Sequence, residues 1–343
     1  MIHTEFERQR LPIDGAFTIS RGSKTTIETV VVRVRDDAGQ TGIGAAAPDP
    51  HYGETPDTVC AVLPDLLDAV EAVDDPLAIG RIEREMADVV RDNPAARAAV
   101  SVACHDLATR RLGVPLYRHL GLDAERAPPT SYTVAIDDPA AMGEAAAAAV
   151  QAGYDVLKVK LGTERDRERV EAVRDAAPDA TLRVDANEAW TPAEAIRNAE
   201  WLADCGVEFV EQPVPAENHE GLRRVTERSA LPIAADESCV TLPDVARVAD
   251  RVDIVNLKLM KCGGVREAVR MVHAARAHGL EVMVGCMVES TASLAAACHL
   301  APLADYADLD GALLLAEDPY DGPSYEGGDL SLPERPGTGV RPA

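Results

Sequence analysis

From about residue 130 onwards, short apolar runs rich in strand-forming residues alternate with alanine-rich stretches of helical character. The runs that predict strands are Ser131–Ile136, Val156–Lys160, Leu182–Asp185, Val207–Glu211, Ile233–Asp236, Ile254–Leu259, Val282–Cys286 and Ala307–Asp310. Thr191-Pro192-Ala193-Glu194 has the pattern of a helix N-terminus with a capping box, and Gly153, Gly206 and Gly279 stand where helices should end. Eight strands separated by helices predict a parallel β/α barrel.

The first part of the chain follows a different pattern. Alternating runs at Thr29–Val34 and Gln40–Gly44, joined by Asp36-Asp37-Ala38-Gly39, predict an antiparallel hairpin. Apolar spacing predicts helices at about Asp57–Ala72, Leu77–Val89 and Pro94–Leu112. We therefore expect an α+β domain at residues 1–126 and a barrel at residues 127–316. The segment 317–343, rich in Gly and Pro, is expected to pack back on the first domain.

Lysine is rare in this chain and unevenly placed. Only five lysines occur among 343 residues, and four of them form two clusters, Lys158 with Lys160 and Lys258 with Lys261. Arginine stays protonated, whereas a lysine can lose its proton when its surroundings lower its pKa. The clusters are therefore candidate positions for a basic amine.

Between the clusters, three acidic residues each close an apolar run: Asp185 in LRVDAN, Glu211 in FVEQP and Asp236 in IAADES. The steps from Lys160 through these residues to Lys258 are 25, 26, 25 and 22 positions. Catalytic groups of a parallel barrel gather at the C-terminal ends of its strands. Strands two and six of an eight-stranded ring face each other, so the two lysines should approach the centre from opposite walls with the carboxylates between them.

Such a set of groups predicts a specific chemistry. Three carboxylates form a hard-oxygen site that suits Mg²⁺ better than zinc. A divalent ion could hold a substrate carboxylate and stabilise the enediolate that forms when the neighbouring α-proton leaves. Two bases on opposite faces of that carbon suit a 1,1-proton transfer, in which one removes the proton and the other returns it. The expected activity is that of a racemase or epimerase, an isomerase.

A lysine base requires a lowered pKa. Bringing the pKa from ~10.4 to ~7–8 needs roughly 3–4 kcal/mol from the site. Lys158 and Lys160 should lie about 6.6 Å apart on one strand face. Their repulsion at an effective dielectric of ~20 is roughly 2.5 kcal/mol, and desolvation could supply the remainder.

The segments KVK, VDAN, EQP, ADES and NLKLMKCGG, in this order, resemble the enolase superfamily in its muconate-lactonizing-enzyme subgroup, over essentially the whole chain. The resemblance implies a modified (β/α)₇β TIM-like barrel with an N-terminal α+β capping domain. It implies Asp185, Glu211 and Asp236 as Mg²⁺ ligands and Lys160 and Lys258 as the two bases. It also implies that Lys158 contacts the substrate carboxylate and tunes Lys160, and that Asn187 supports the metal site.

Strand eight ends in Ala307-Asp308-Leu309-Asp310-Gly311, which puts both aspartates on one strand face. Strand eight lies opposite strand four, so a substrate whose carboxylate binds the metal would extend its other end towards two negative charges. A free ammonium group fits this arrangement, and the Asp-x-Asp element resembles the dipeptide epimerases. The segment Phe17–Ser23 resembles the flexible specificity loop of the family, in which Arg21 could bind a side-chain carboxylate. His51–Glu54 resembles the second capping loop.

Several alternatives remain open. An o-succinylbenzoate synthase or an N-succinylamino-acid racemase would use the same lysines and metal, but neither substrate carries the ammonium that Asp308 and Asp310 suit. A mandelate-racemase-like enzyme would need a histidine after strand seven, where this chain reads Val284-Gly285-Cys286-Met287. A Schiff-base aldolase would need only one lysine, and a non-catalytic peptide-binding protein would need neither.

Composition and net charge limit the kinds of partner and the compartment that we expect for this protein. A net charge of −24 argues against nucleic-acid binding. With so little lysine, this acidity is typical of a high-salt cytosol, although an acidic protein from a GC-rich genome would read similarly. No run approaches ~18 apolar residues, and seven cysteines without a CxxC pair indicate reduced thiols. We expect a cytoplasmic homo-oligomer that acts on a small molecule and contacts no membrane.

Overall fold

A computed structural model describes the whole chain, from Met1 to Ala343. It begins with an antiparallel sheet of three strands in the order β1 (Ile2–Ile19), β2 (Gly22–Asp36) and β3 (Thr41–Ala46). The predicted hairpin corresponds to β2 and β3. The sequence pattern missed β1, because its outer face is exposed and Pro12 and Gly15 interrupt the alternation, with a register shift between Pro12 and Phe17.

Four helices follow the sheet: α1 (Pro56–Val73), α2 (Ile79–Val89), α3 (Pro94–Leu112) and α4 (Leu116–His119). The first three agree with the predicted helices within two residues. Helix α3 packs closely on β3, where a Cβ at Gly42 would lie 2.1 Å from the Ala103 carbonyl oxygen and one at Gly44 2.3 Å from that of Ala99. The small residues on both elements therefore permit a contact that larger side chains would block.

The barrel contains eight parallel strands whose sheet order follows the chain. They are β4 (Tyr132–Val134), β5 (Val156–Lys160), β6 (Thr181–Asp185), β7 (Val207–Glu211), β8 (Ile233–Ala235), β9 (Ile254–Leu257), β10 (Glu281–Gly285) and β11 (Tyr306–Asp308). A parallel bridge between Thr130 and Ala307 joins the first strand to the last, and the Ser131 N–H donates to the Ala307 carbonyl at 3.1 Å. The predicted barrel is confirmed.

The helices of the barrel are α5 (Pro139–Gln151), α6 (Asp166–Ala176), α7 (Pro192–Asp204), α8 (His219–Thr226), α9 (Leu242–Val248), α10 (Leu259–Cys262), α11 (Val265–Ala277) and α12 (Thr291–Leu300). Short 3₁₀ turns lie at Pro50–Tyr52, Ala124–Arg126 and Ala301–Leu303. The predicted capping box is present at the start of α7, between Thr191 and Glu194. Gly153, Gly206 and Gly279 follow helices with φ of 96°, 70° and 77°, a left-handed conformation that favours glycine.

The buried side chain of Arg183 lies inside the barrel, below the C-terminal ends of the strands. Arg183 lies two residues before Asp185 on β6 and therefore points to the same side of the sheet, one layer deeper. Its guanidinium carbon is 5.3 Å from the ring centre of Phe209 and 4.9 Å from that of Tyr306, and its Nε donates to Glu208 at 2.7 Å. This stack closes the floor beneath the carboxylates.

The last residues form two small strand pairs, β12 (Tyr320–Asp321) with β15 (Arg341–Pro342) and β13 (Ser324–Glu326) with β14 (Asp329–Ser331). The Thr338 N–H donates to Asp106 of α3 at 2.6 Å, and the Leu116 N–H donates to the Gly337 carbonyl at 2.8 Å. The domain limits at residues 126 and 316 stay a prediction. No helix combines the length and apolar character that crossing a membrane requires.

Candidate active site

The predicted residues meet at one end of the barrel. Lys160, Asp185 and Glu211 are the last residues of β5, β6 and β7, and they are register partners across these strands. Asp236 and Lys258 each follow the last residue of β8 and β9 directly. The repeat of about 25 positions thus corresponds to one β/α unit, and it brings groups that are far apart in the chain to one level.

The three carboxylates form a compact cluster that suits a cation. Asp185, Glu211 and Asp236 are at most 1% exposed, and each offers an oxygen within 4.8 Å of the others. Glu211 Oε2 lies 2.7 Å from the Lys158 Nζ but accepts no well-directed hydrogen bond. Buried carboxylates this close require positive charge among them. An all-oxygen donor set with an unsatisfied buried oxygen fits Mg²⁺.

The lysine amines approach this cluster from both sides. Lys160 Nζ lies 2.6 Å from Asp185 Oδ2, and Lys258 Nζ lies 2.7 Å from Asp236 Oδ2. Lys158 Nζ contacts Asp308 Oδ2 at 2.7 Å. All three lysines line one cavity. The two predicted bases therefore stand on opposite flanks of the carboxylate cluster.

Burial and charge shift the titration of these groups in different directions. Burial and the neighbouring Asp185 raise the pKa of Glu211 to about 7. Burial alone would raise the pKa of Asp236, but Lys258 and Lys261 hold it well below the usual range. For Asp185, Lys160 and Lys158 likewise outweigh burial and lower the pKa. The cluster thus shares its protons unequally, with Glu211 the most readily protonated carboxylate.

For Lys158, the expected repulsion from Lys160 does not lower the pKa. Burial lowers the pKa of Lys158, but Asp308 and Glu211 outweigh it and hold the pKa well above the usual value. The pKa of Lys258 is also raised, because Asp236 outweighs burial. The carboxylates therefore dominate over the repulsion between neighbouring ammonium groups.

The acidic pair after β11 has two unequal members. Asp308 accepts from Ser131 Oγ at 2.6 Å and from Lys158, and Lys158 outweighs burial to lower its pKa to about 2. Asp310 accepts from the Thr133 N–H at 2.6 Å, and burial together with Asp308 raises its pKa to about 7. Both line the cavity, as the strand alternation predicted. Lys158 already engages Asp308, so Asp310 is the member with the freer carboxylate.

Asn187 connects the cluster to its surroundings. Its N–H and Nδ2 donate to the two oxygens of Asp185 at 2.8 and 3.2 Å, and its Nδ2 also lies 3.3 Å from Glu237 Oε1. Asn187 and Glu188 have φ of 43° and 70°, a conformation that costs energy outside glycine and persists where the surroundings enforce it. Asn187 thus contacts Asp185 directly, and its support of a metal site stays a prediction.

Arg21 reaches the barrel from the hairpin tip between β1 and β2. Segment Phe17–Ser23, which resembles a flexible loop, forms the end of β1, the turn and the start of β2. Arg21 Nη1 lies 2.8 Å from Glu237 Oε1 and 3.2 Å from Glu188 Oε2, and His51 Nε2 is 3.0 Å from the same Glu188 oxygen. The guanidinium thus occupies a second acidic cluster, and Arg21 and His51 each join one capping loop to the barrel.

Sequence reasoning gave no role to four polar residues beside the cluster. They are Gln212, Glu237, Asn256 and Lys261. Asn256 Nδ2 donates to Glu211 Oε1 at 2.8 Å, and Gln212 Oε1 accepts the Asp236 N–H at 2.9 Å. All four lie within three positions of a predicted ligand or base, which was the available signal.

A single cavity of about 890 Å³ lies over these groups. The barrel contributes the lysines and aspartates, and the loops of the N-terminal sheet contribute Phe17, Arg21 and Tyr52. A cavity of this size accommodates a small molecule.

Two family models together match nearly the whole chain. Residues 1–121 match the mandelate racemase / muconate lactonizing enzyme N-terminal domain, and residues 141–343 match the enolase C-terminal domain-like family. An L-Ala-D/L-Glu epimerase of Bacteroides thetaiotaomicron is 38% identical over 331 residues, covering 96% of this chain and 85% of that protein.

Solved structures show the same fold. A dipeptide epimerase from Enterococcus faecalis V583, complexed with Mg and the dipeptide L-Leu-L-Tyr, has a TM-score of 0.93 and 36% identity, with 98% of each chain covered. An N-succinyl Arg/Lys racemase from Bacillus cereus has a TM-score of 0.94 and 30% identity, covering 99% of this chain and 95% of that one. With these matches and the geometry of its strand ends, this chain belongs to the mandelate racemase / muconate lactonizing enzyme family of the enolase superfamily.

Proposed function

We propose that this protein is a Mg²⁺-dependent dipeptide epimerase that inverts the α-carbon of the C-terminal residue, with dipeptides such as L-Ala-L-Glu or L-Ala-D-Glu as substrates. The observation that carries the proposal is the approach of Lys160 and Lys258 to one buried carboxylate cluster from opposite sides. The names of the relatives, several of which are dipeptide epimerases, support the same class of substrate.

Asp185, Glu211 and Asp236 are the residues that would hold Mg²⁺. When bound, the ion would bind the substrate carboxylate, stabilise the negative charge that develops on it, and neutralise the carboxylates that keep the pKa values of Lys158 and Lys258 high. Asn187 and Asn256 hold two of these carboxylates through hydrogen bonds from their side-chain amides. The protein thus presents its ligands in fixed orientations.

Lys160 and Lys258 would exchange one proton with the substrate. The neutral amine of one lysine takes the α-proton, and the ammonium of the other donates a proton to the opposite face of the same carbon. After one turnover the two lysines have exchanged protonation states, and the reverse reaction uses them in the opposite order. The configuration is inverted without any net loss or gain of protons.

Three further residues would orient the dipeptide. Lys158 would contact the substrate carboxylate, and Asp310, together with Asp308, would receive the N-terminal ammonium. Arg21 would meet the side chain of the C-terminal residue through the guanidinium nitrogens that Glu188 and Glu237 leave free. A substrate held at both ends keeps its α-carbon between the two amines.

Proton NMR in D₂O, at high salt with Mg²⁺, tests the proposal on L-Ala-L-Glu within a small dipeptide mixture. We expect the α-proton signal of the C-terminal residue to disappear while the signals of the other epimer grow. Absence of exchange on every dipeptide would overturn the proposal.

A second candidate is an N-succinylamino-acid racemase or an o-succinylbenzoate synthase, which would use the same bases and metal. The similarity to the Bacillus cereus racemase favours it. Asp308 and Asp310 argue against it, because a succinyl group would place a carboxylate where two acidic side chains lie. Exchange on N-succinyl amino acids, or turnover of a succinylbenzoate precursor, in the absence of dipeptide exchange would select this candidate.

The seven cysteines are free thiols, which supports a reducing compartment such as the cytoplasm. The homo-oligomer stays a prediction, and light scattering coupled to size-exclusion chromatography would measure it.

A further inference from the structure

Lys261 belongs to the second lysine cluster, yet the proposed chemistry does not use it. It is 1% exposed and lies in the short helix α10, three residues after Lys258. Its side chain points back towards the strand ends. There, Lys261 Nζ lies 2.6 Å from Asp236 Oδ1, 2.6 Å from the Asp236 carbonyl, 3.0 Å from the Cys239 carbonyl and 2.9 Å from the Asn256 carbonyl.

These contacts exclude Lys261 from proton transfer. An ammonium group has three N–H donors, and four oxygens already surround this one. Lys258 differs, because its contact within hydrogen-bonding distance is Asp236 Oδ2 at 2.7 Å, and it lines the cavity, whereas Lys261 does not. The two lysines therefore bind opposite oxygens of the same carboxylate and have different roles.

The carbonyls that Lys261 binds lie beyond the end of the strand ladder. The pairing of β8 with β9 ends at Ala235 and Val255, one residue before Asp236 and Asn256. Past this point the buried ammonium joins the loop after β8 to the end of β9, in place of backbone hydrogen bonds. The relative position of Asp236 and Lys258 thus depends on Lys261.

Asp236 is the carboxylate of the cluster that contacts a lysine lying outside the cavity. Asp185 and Glu211 contact lysines that line the cavity, and the neutral amides of Asn187 and Asn256 also hold them. Lys261 holds Asp236 through a full positive charge from outside the cavity. Charge-assisted hydrogen bonds are shorter and stronger than neutral ones. A carboxylate with one oxygen held in this way can turn only the other towards the centre of the cluster.

We propose that Lys261 is a positioning residue that orients Asp236 for cation binding. The proposal rests on the proposed function, since it concerns the same Mg²⁺ site. It assigns a role to a residue that neither contacts the substrate nor transfers a proton. Removing groups that orient metal ligands typically weakens metal affinity 10- to 100-fold.

The test is a calorimetric Mg²⁺ titration of the full-length protein and three variants, without substrate. We expect Lys261→Met, which keeps the length of the side chain and removes the charge, to weaken Mg²⁺ binding about 10- to 100-fold. Lys261→Gln, which keeps an N–H donor, should lose less. Arg183→Met is the matched control, because it removes another buried cation of the barrel that contacts none of the three carboxylates, and its Mg²⁺ affinity should equal that of the wild type.

The outcomes separate the two proposals. If the wild type binds Mg²⁺ and epimerises dipeptides, and Lys261→Met binds Mg²⁺ equally well, the role of Lys261 is refuted and the proposed function stands. If the wild type binds no Mg²⁺, both fail. An equal loss in Arg183→Met would mean that general loosening of the barrel, rather than Asp236, explains the effect, and it would also refute the role. Should Lys261→Met not fold, Lys261→Gln provides the same comparison.

Discussion

Acid should destabilise this protein through a buried histidine far from the carboxylate cluster. His299 lies in α12 with its side chain enclosed between the barrel, α4 and the C-terminal segment. Its Nδ1 accepts from the Tyr117 N–H at 3.1 Å, and its Nε2 donates to the Thr338 carbonyl at 3.0 Å. Both ring nitrogens are used in the neutral form, so protonation would place an N–H against the Tyr117 N–H. Burial accordingly lowers the pKa of His299 from 6.5 to about 4.

The sign and size of the effect follow from this shift. A folded-state pKa below the unfolded value means that the unfolded chain binds the proton first, so stability is fully present above pH 6.5 and is lost as the pH falls towards 4. At pH 5 the loss is about 2 kcal/mol, and below both pKa values it reaches about 3.4 kcal/mol. His105 is buried in α3 with the same direction of shift, and it adds a similar amount.

Urea unfolding followed by circular dichroism, at pH 7.5 and pH 5, measures the effect. Many carboxylates also titrate in this range, so the comparison is with His299→Asn, which cannot take up the proton. We expect the free energy of unfolding of the variant to fall about 2 kcal/mol less than that of the wild type. The exposed His273→Asn is the control and should follow the wild type. An equal fall in wild type and His299→Asn would refute the reasoning.

Three further predictions concern the site and its floor. Lys160→Ala and Lys258→Ala should each lower epimerisation about 100- to 10,000-fold, while solvent exchange of the α-proton persists from one epimer only in each variant; full activity in both would contradict the two-base mechanism. Asp310→Asn should lower kcat/KM for dipeptides about 10- to 100-fold through the lost charged hydrogen bond, with no such loss for N-acetylated dipeptides. An equal loss on both kinds of substrate would show that Asp310 does not act by binding the substrate ammonium. Arg183→Met should lower the free energy of unfolding by about 1–3 kcal/mol, because its stacking and its bond to Glu208 are lost; urea unfolding measures this, and unchanged stability would show that the floor contributes nothing.

The barrel was predictable because each β/α unit is a local pattern. Apolar runs of four to six residues followed by helical stretches predicted all eight strands, and the capping box at Thr191 marked the start of a helix. The first strand was not predictable in the same way. Ile2–Ile19 is half exposed and interrupted by Pro12 and Gly15, so its pairing with β2 is set by the opposite strand rather than by its own alternation.

The candidate site was partly predictable for a related reason. Strand ends of a parallel barrel converge, so the spacing of Lys160, Asp185, Glu211, Asp236 and Lys258 was enough to predict that they meet. The spacing does not show which residue each of these groups contacts. Lys158 contacts Asp308, 150 positions away, because closure of the ring brings the first and last strands together.

By itself, the sequence determined which residues stand at the strand ends, since periodicity and side-chain alternation are local properties of the chain. Only the tertiary structure decided how the charges are shared among them. It assigned Lys261 to Asp236, Lys158 to Asp308 and Arg21 to Glu237. The physical reason is that a buried charge must find an opposite charge or a hydrogen-bond partner at a distance of about 3 Å. Which group stands at that distance is set by the packing of elements that are remote in sequence.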